Sequence, residues 1–168
     1  MSLVTSIQQT YEIWPRLFLG RVAFANEAFE QDLLIHCEAW WPDGVTCRGG
    51  PCAMVHGPFK DCSDASYKVI AENMAIELSR IAVLAWREGK SVRISCLAGL
   101  NRSALVMGVV LLRLGLSPDA ALTRIRWKRA SAFTLSNELF VQILRTLDVS
   151  SLSEEGPTPL FPKGPPSP

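Results

Sequence analysis

The sequence predicts an α/β fold in which helices pack on a sheet. Short apolar runs rich in branched residues alternate along the chain with longer segments of helical periodicity. The clearest helix spans residues 66–89, with Ser66 as its cap, apolar residues every three or four positions, and Gly89 at its end. Residues 103–114 are apolar on nearly every face, which is typical of a helix buried in the middle of a fold. Alternating elements of this kind favour a single layered α/β domain.

The other elements follow from local turn and capping signals. Short apolar runs predict strands over residues 13–20, 32–38, 52–59 and 91–95, the first of them at a sheet edge because it contains Pro15. Residues 26–31 are predicted to form a short helix. Two further helices are predicted, from the cap Ser117 to residue 128 and from the cap Ser136 to residue 148.

Composition indicates one globular domain. The 168 residues are 48% hydrophobic, which excludes a disordered chain, and the formal net charge of +1 excludes polyanion binding by bulk charge. Net charge does not exclude a local basic patch. Residues 1–149 are predicted to form the domain, and the Pro- and Ser-rich residues 150–168 a disordered tail.

No membrane or export signal is visible in the sequence. The longest uncharged apolar run, residues 104–112, has about half of the roughly 20 residues that a spanning helix needs, and residues 1–10 lack the pattern of a signal peptide. A cytoplasmic protein is therefore expected. Five cysteines are an odd number for a disulfide framework, so free thiols are expected, and their spacing lacks the close CxxC pairs of zinc sites.

The segment that carries chemistry is a Cys-x5-Arg-Ser loop between the strand at 91–95 and the buried helix. A loop that leads into a helix directs backbone N–H groups and the positive end of the helix dipole to one point, where they favour a thiolate at Cys96. Gly99 allows the unusual dihedral angles of such a loop. Arg102 can hold two oxygens of a phosphate, and Ser103 can donate a hydrogen bond to the thiolate. The N–H groups expected to bind phosphate belong to Leu97, Ala98, Gly99, Leu100, Asn101 and Arg102.

This combination is rare by chance. A chain of this composition is expected to contain roughly 0.003 segments with Cys, Gly, Arg and Ser or Thr at these spacings, before a preceding strand and a following helix are required. The segment therefore predicts a phosphate cradle with a cysteine nucleophile at its base.

These residues resemble the small dual-specificity protein phosphatases, a group within the cysteine-dependent protein-tyrosine phosphatases. The resemblance covers about residues 11–148 and includes the strand at 13–20, the FKD sequence that ends at Asp61, and Asn137 with the residues after it. It implies a central mixed sheet of about four to five strands flanked by helices, and chemistry without a metal or cofactor. It also implies that Asn137 braces the phosphate loop.

One position departs from the family pattern. The family usually has His directly before the nucleophile, where it supports the loop and the thiolate, and this chain has Ser95. A serine can still form a hydrogen bond there, but it brings no imidazole.

The predicted reaction needs a general acid that protonates the leaving oxygen and later activates water. Asp61 and Asp64 are the two candidates, and Asp61 is favoured because it lies where the resemblance places the acid. The alternative for Asp64 is a carboxylate at a helix start. Oxidised Cys96 could be trapped as a disulfide by Cys62 or another thiol.

The resulting hypothesis is a phosphatase that hydrolyses phosphotyrosine and phosphoserine or phosphothreonine in proteins through a phosphocysteine intermediate. A basic cluster is predicted to be either a set of helix C-terminal cations or a surface that guides an anionic substrate; it comprises Arg124, Arg126, Lys128 and Arg129. The GxNR sequence ending at Arg102 also resembles RNA 5′-phosphatases, so RNA 5′-triphosphate or phosphoinositide is an alternative substrate. The third hypothesis is a protein that binds phosphoproteins without catalysis, because Ser95 replaces the His that the family usually has before the nucleophile.

Overall fold

The computed structural model describes residues 10–22, 26–40, 43–47, 50–51 and 53–152. Its strands are β1 (Thr10–Trp14), β2 (Leu17–Arg21), β3 (Leu33–His36), β4 (Thr46–Cys47), β5 (Gly50–Pro51), β6 (Ala53–His56) and β7 (Val92–Cys96). Its helices are α1 (Lys68–Arg87), α2 (Arg102–Arg113), α3 (Pro118–Arg129) and α4 (Glu138–Thr146). Short 3₁₀ turns cover Ala65–Tyr67 and Val149–Ser151.

The main sheet has five strands in the order β1-β2-β7-β3-β6. Strand β1 is antiparallel to β2, and the other neighbours are parallel, so the sheet is mixed. Strands β4 and β5 form a separate antiparallel pair. The predicted α/β fold with a mixed sheet flanked by helices is confirmed, and the predicted nucleophile ends the central strand β7.

Helix α2 lies in the middle of the core, as its apolar sequence predicts. Residues 103–112 are all buried, and they join one apolar cluster with α1 and with one face of the sheet, which includes Leu19, Ile35 and Ile94. The opposite face of the sheet forms a smaller cluster around Leu34 and Phe29. Burial on both sides of β7 fixes the position at which the loop 97–101 leaves the sheet.

The prediction of one edge strand over residues 13–20 is wrong, because these residues form a hairpin. Pro15 and Arg16 make the turn between β1 and β2, which places Pro15 where no ladder hydrogen bond is needed. Arg16 adopts a φ of 66°, and its Nη1 donates to the carbonyls of Trp86 (2.9 Å) and Lys90 (3.1 Å). The long-range contacts of Arg16 thus anchor the turn to the end of α1.

The predicted short helix at residues 26–31 is also absent from the described residues 26–31. Asn26 lies in a turn, and the backbone N–H of Phe29 donates to the carbonyl of Thr46 at 2.8 Å, while the N–H of Thr46 donates to Glu27 at 3.0 Å. Pairing with the β4 segment satisfies this backbone and replaces the local helix.

Two predicted helix caps shift by one or two residues. The 3₁₀ turn that precedes α1 is capped by Asp64, whose carboxylate accepts the N–H of Ser66 at 2.9 Å. Helix α4 is capped by Asn137 instead of Ser136, and the Asn137 side chain accepts the N–H of Leu139 at 3.1 Å. The cap of α3 at Ser117 is confirmed.

A buried arginine supports the end of β2. Arg93 in β7 is 1% exposed, its Nη2 donates to the Arg21 carbonyl at 2.8 Å, and its guanidinium lies 4.2 Å from the centre of the Phe29 ring. Burial lowers the pKa of Arg93 to about 10, so it stays charged near neutral pH. Arg93 therefore holds the Arg21 backbone, against which the loop after β7 packs.

The predicted disordered tail lies mainly outside the described residues, since residues 153–168 are not among them. Within the described ranges, no helix combines the length and apolar character that crossing a bilayer requires.

Candidate active site

Cys96 ends β7 with its thiol buried at the start of α2. The residue is 3% exposed, and its Sγ lies 3.1 Å from Oγ of Ser103, which is fully buried in the first turn of α2. Either atom can act as the donor, so Ser103 can donate to a Cys96 thiolate. The structure therefore brings these two predicted site residues within hydrogen-bonding distance of each other.

The loop 97–101 presents unused backbone donors around this thiol. The N–H groups of Ala98, Leu100, Asn101 and Arg102 have no acceptor among the residues that the structure covers, whereas the Gly99 N–H donates to the Cys96 carbonyl at 3.3 Å. Unpaired N–H groups at a helix N-terminus form a binding site for anions. The geometry is thus that of an oxyanion cradle, here defined as residues 96–102.

Only glycine fits at the middle of the cradle. Gly99 has a φ of 65°, and a Cβ placed there would lie 2.5 Å from the carbonyl carbon of Gly20 and 2.8 Å from the nitrogen of Arg21. These are backbone atoms of β2 that cannot move aside. The predicted need for glycine is therefore reinforced by close packing as well as by dihedral angle.

A carboxylate that the sequence reasoning missed closes the cradle from the β3 side. Glu38 accepts hydrogen bonds from Nη2 of Arg102 at Oε1 (2.5 Å) and from Nη1 of Arg102 at Oε2 (3.1 Å). Its Oε1 also accepts the N–H of Leu97 at 2.6 Å. A carboxylate directly after a buried strand that neighbours the nucleophile strand is the signal that could have identified it.

Glu38 changes the expected roles of two cradle groups. The Leu97 N–H, expected to bind phosphate, is directed to Glu38 instead. The Nη1 of Arg102 also donates to the Phe59 carbonyl at 3.2 Å, while its buried Nε has no partner within the described ranges. The Nε–H and the second N–H of Nη2 are thus the guanidinium donors that remain for an incoming anion.

Asp61 is held at the cradle by two amides. Its Oδ2 accepts a hydrogen bond from Nδ2 of Asn101 at 3.0 Å, and its Oδ1 accepts one from Nδ2 of Asn137 at 2.7 Å. The Oδ1 of Asn101 in turn accepts the backbone N–H of Asn137 at 3.2 Å. Asn137 therefore contacts the phosphate loop through Asn101 and also orients the predicted general acid.

Asp64 caps a turn and, unlike Asp61, forms no hydrogen bond with the cradle in the described part of the chain. Its carboxylate caps the 3₁₀ turn before α1, and the hydrogen bonds from Ser66 lower the pKa of Asp64. The geometry favours Asp61 as the acid, because only Asp61 of the two bonds to a cradle residue.

Ser95 is fully buried in β7 and donates a long hydrogen bond of 3.4 Å from its Oγ to the Ile35 carbonyl. Its register partner in β3 is His36. An imidazole is therefore present in the same row of the sheet, one strand away from the position where the family pattern has it.

The cysteines do not all match the expectation of free thiols. Cys37, Cys62 and Cys96 are free, but Cys47 is disulfide-bonded, so the expectation is wrong for Cys47, which lies where the chain turns back in the β4–β5 pair. The odd cysteine count therefore gives no argument for a reducing compartment. No cluster of three or more metal-ligating side chains occurs in the described part of the chain.

The thiol that neighbours Cys96 is Cys37. Cys37 directly follows β3, its N–H donates to the Ser95 carbonyl at 2.9 Å, and burial raises its pKa well above the usual value, with a smaller contribution from Cys96. Cys62 instead accepts the Asp64 N–H at 3.4 Å. Trapping of an oxidised Cys96 by Cys62 or another thiol stays a prediction.

Most of the basic cluster has fixed backbone partners. Arg124 donates to the Ile13 carbonyl (2.7 Å), and Arg126 donates to the carbonyls of Thr134 (3.1 Å) and Leu135 (3.0 Å). Lys128 lies over the exposed ring of Trp127, 4.9 Å from its centre.

Arg129 has a role in the cradle that the sequence reasoning did not assign. It is 8% exposed, and its guanidinium donates to the carbonyls of Gly99 (3.1 Å) and Ala98 (3.2 Å). These bonds satisfy the two carbonyls and hold the loop from the α3 side.

Comparisons with known proteins give a consistent fold. No protein-family model and no curated protein matches the sequence. Among solved structures, Tk-PTP in its active form matches with a TM-score of 0.65 at 22% identity, over 82% of this chain and 94% of Tk-PTP. Human DUSP28 matches with a TM-score of 0.62 at 24% identity, over 80% of this chain and 92% of DUSP28. The chain has the fold of the small dual-specificity phosphatases.

A mouse dual-specificity phosphatase in complex with zinc tungstate also matches, with a TM-score of 0.60 at 19% identity, over 86% of this chain and 89% of the mouse chain. These similarities extend over nearly the whole described domain. The predicted fold and the predicted structural resemblance are confirmed.

Replacing Gly99 with alanine is expected to collapse anion binding by the cradle. The added Cβ would overlap the β2 backbone, so the loop must shift, and a shift of about 1 Å can cost roughly 100-fold in function. Titration calorimetry with inorganic tungstate measures the effect. Gly89→Ala is the matched control, because Gly89 also has a positive φ but no atom lies within 4 Å of its Cβ position. Equal tungstate affinities of the two variants would refute this role of Gly99.

Proposed function

We propose that the protein is a phosphatase that hydrolyses phosphomonoesters of proteins through a phosphocysteine intermediate. The observation that carries the proposal is that residues 96–102 bring together in one short loop the buried Cys96 thiol, unpaired backbone N–H groups and Arg102 with an unpaired Nε. A nucleophile surrounded by fixed donors is suited to the charge that develops on a transferred phosphoryl group.

In the first step, the Cys96 thiolate attacks phosphorus and the bond to the leaving oxygen breaks. The N–H groups of the cradle and Arg102 hold the phosphoryl oxygens. Asp61 donates its proton to the leaving oxygen, so the alcohol or phenol departs neutral. The products are a phosphocysteine and an Asp61 carboxylate.

In the second step, the Asp61 carboxylate takes a proton from water, and the resulting nucleophile attacks phosphorus. The bond between sulfur and phosphorus breaks, and phosphate is released. The Ser103 hydroxyl, 3.1 Å from Sγ, stabilises the departing thiolate by hydrogen bonding. The cycle then returns Cys96 as thiolate and Asp61 as acid, with no cofactor involved.

A phosphorylated protein is the proposed substrate, and both phosphotyrosine and phosphoserine or phosphothreonine are included. Two exposed apolar side chains beside the cradle, Leu97 (60%) and Phe133 (70%), support an open site. Phe133 lies near the cradle because Leu135, two residues later, donates its N–H to the Leu100 carbonyl. Lys128 and the backbone-bound arginines of the basic cluster add positive charge that favours an anionic substrate.

Rapid-mixing kinetics with a chromogenic aryl phosphate test the proposal. A burst of phenol equal to the enzyme concentration is expected with the wild type, followed by slower turnover, and Cys96→Ser should abolish both. No burst and no turnover in the wild type would refute phosphatase activity and favour a phosphoprotein-binding role. Phosphate release from triphosphate-ended RNA or phosphoinositide, without release from phosphopeptides, would refute the protein substrate.

The role of Asp61 is tested by leaving-group dependence. Asp61→Asn is expected to lower kcat/KM about 100-fold or more for phenyl phosphate, because phenol, with a pKa of about 10, needs protonation to leave. Asn101→Ala removes one of the two amide partners of Asp61. It should therefore lower kcat/KM for phenyl phosphate less than Asp61→Asn does, with the same dependence on the leaving group. Both variants should lose less with p-nitrophenyl phosphate, whose leaving group is more acidic.

The control for this measurement is Asp64→Asn, which alters only the cap of the 3₁₀ turn. It should keep the leaving-group dependence of the wild type. A selective loss with phenyl phosphate in Asp64→Asn, together with wild-type behaviour of Asp61→Asn, would assign the acid to Asp64.

A further inference from the structure

A row of polar side chains crosses the C-terminal ends of three parallel strands beside the cradle. Register pairing places Ser95 of β7 next to His36 of β3, and His36 next to His56 of β6. Residues paired in this way point to the same face of a sheet. The Cys-x5-Arg pattern usually has an imidazole at position 95; in this chain two imidazoles lie in the same row, one on the neighbouring strand β3 and one on β6 beyond it.

Both imidazoles bind the turn that carries Glu38, here defined as residues 37–40 and called the Glu38 turn. The Nε2–H of His36 donates to the Trp40 carbonyl at 2.8 Å, and the Nε2–H of His56 donates to the Glu38 carbonyl. Because a carbonyl can only accept, both rings carry their proton on Nε2. The two rings thereby hold two carbonyls of one short turn.

The Glu38 turn depends on these bonds for its orientation. The strand pairing of β3 ends at His36, and the last backbone bond to β7 is from the Cys37 N–H to the Ser95 carbonyl at 2.9 Å. Beyond it, the Glu38 side chain must be directed at Arg102 and Leu97 to make the contacts described above. A turn without regular secondary structure is fixed by the side chains that satisfy its carbonyls.

His36 is suited to this task because it is fully buried and neutral. Its ring packs edge-on against Trp40, with 5.5 Å between centres, and lies 5.8 Å from the His56 ring. Burial lowers the pKa of His36, so the neutral Nε2–H form persists near neutral pH.

We propose that His36 and His56 are positioning residues of the oxyanion cradle, which act by fixing the Glu38 turn and through it the guanidinium of Arg102. The inference rests on the proposed anion-binding function of the cradle. It assigns to these two histidines the support that the family pattern places directly before the nucleophile.

Tungstate binding to Cys96→Ser protein, measured by titration calorimetry, tests the proposal without any catalytic step. His36→Leu and His56→Leu in this background should each weaken tungstate binding about tenfold, because the Glu38 carboxylate no longer holds Arg102 in place. His36→Gln should recover most of the lost affinity, since its amide N–H replaces the Nε2–H. His56 is an exposed residue, so His56→Leu provides the result if His36→Leu does not fold.

A double-mutant cycle identifies the route of the effect. In a Glu38→Ala background, His56→Leu should change tungstate affinity less than twofold, because the histidine acts only through Glu38. The matched core control is Leu34→Ala, which alters a 1% exposed residue on the same strand and face, two positions before His36. It should lower the melting temperature and leave tungstate affinity unchanged.

Three results would overturn the proposal. The first is unchanged tungstate affinity in both leucine variants, and the second is a loss in Leu34→Ala as large as in the histidine variants. The third is a tenfold effect of His56→Leu that persists in the Glu38→Ala background. Absence of tungstate binding by the Cys96→Ser parent itself is a separate outcome, which would refute the anion cradle and with it the proposed function.

Discussion

The pairing of Glu38 with Arg102 and the Leu97 N–H is the interaction on which the site depends. It joins the turn after β3, the loop after β7 and the start of α2, and both charged side chains are largely buried, at 10% and 14% exposure. Removing one partner of such a pair costs about 3–5 kcal/mol, because the other charge is left buried and uncompensated. The guanidinium is therefore oriented before any anion arrives, which is the condition for electrostatic stabilisation without reorganisation.

This arrangement also changes how the site attracts an anion. Because Glu38 pairs with the charge of Arg102, the free N–H groups of the cradle and the positive end of the α2 dipole are needed as further sources of attraction for an anion. Arg129 contributes from the other side by binding the carbonyls of Ala98 and Gly99. On the outer edge, the amides of Asn101 and Asn137 hold Asp61 at the same loop. The proposed nucleophile, anion donors and acid are thus linked by hydrogen bonds between distant parts of the chain.

The sequence predicted what depends on local signals. The Cys96–Ser103 segment, the buried helix α2 and the order of most elements follow from spacing, apolar pattern and turn residues. What it could not predict comes from contacts between residues far apart in the chain. Glu38 lies 64 positions before Arg102. Its place after a strand marks it as a candidate site residue, but the residues near it do not identify Arg102 as its partner. The sequence also did not predict the hairpin turn at Pro15 or the non-helical segment at Asn26. Both are stabilised by hydrogen bonds to backbone groups that are distant in the sequence.

A crystal structure of the protein with tungstate in the cradle would show whether Glu38 supports the anion site. We predict that the anion accepts hydrogen bonds from the N–H groups of the loop and from Nε of Arg102, while Glu38 keeps its bonds to both Nη atoms and to Leu97. A structure in which the anion displaces Glu38 and takes the Leu97 N–H would contradict it, because the carboxylate would then be a competitor for the anion site and not its support.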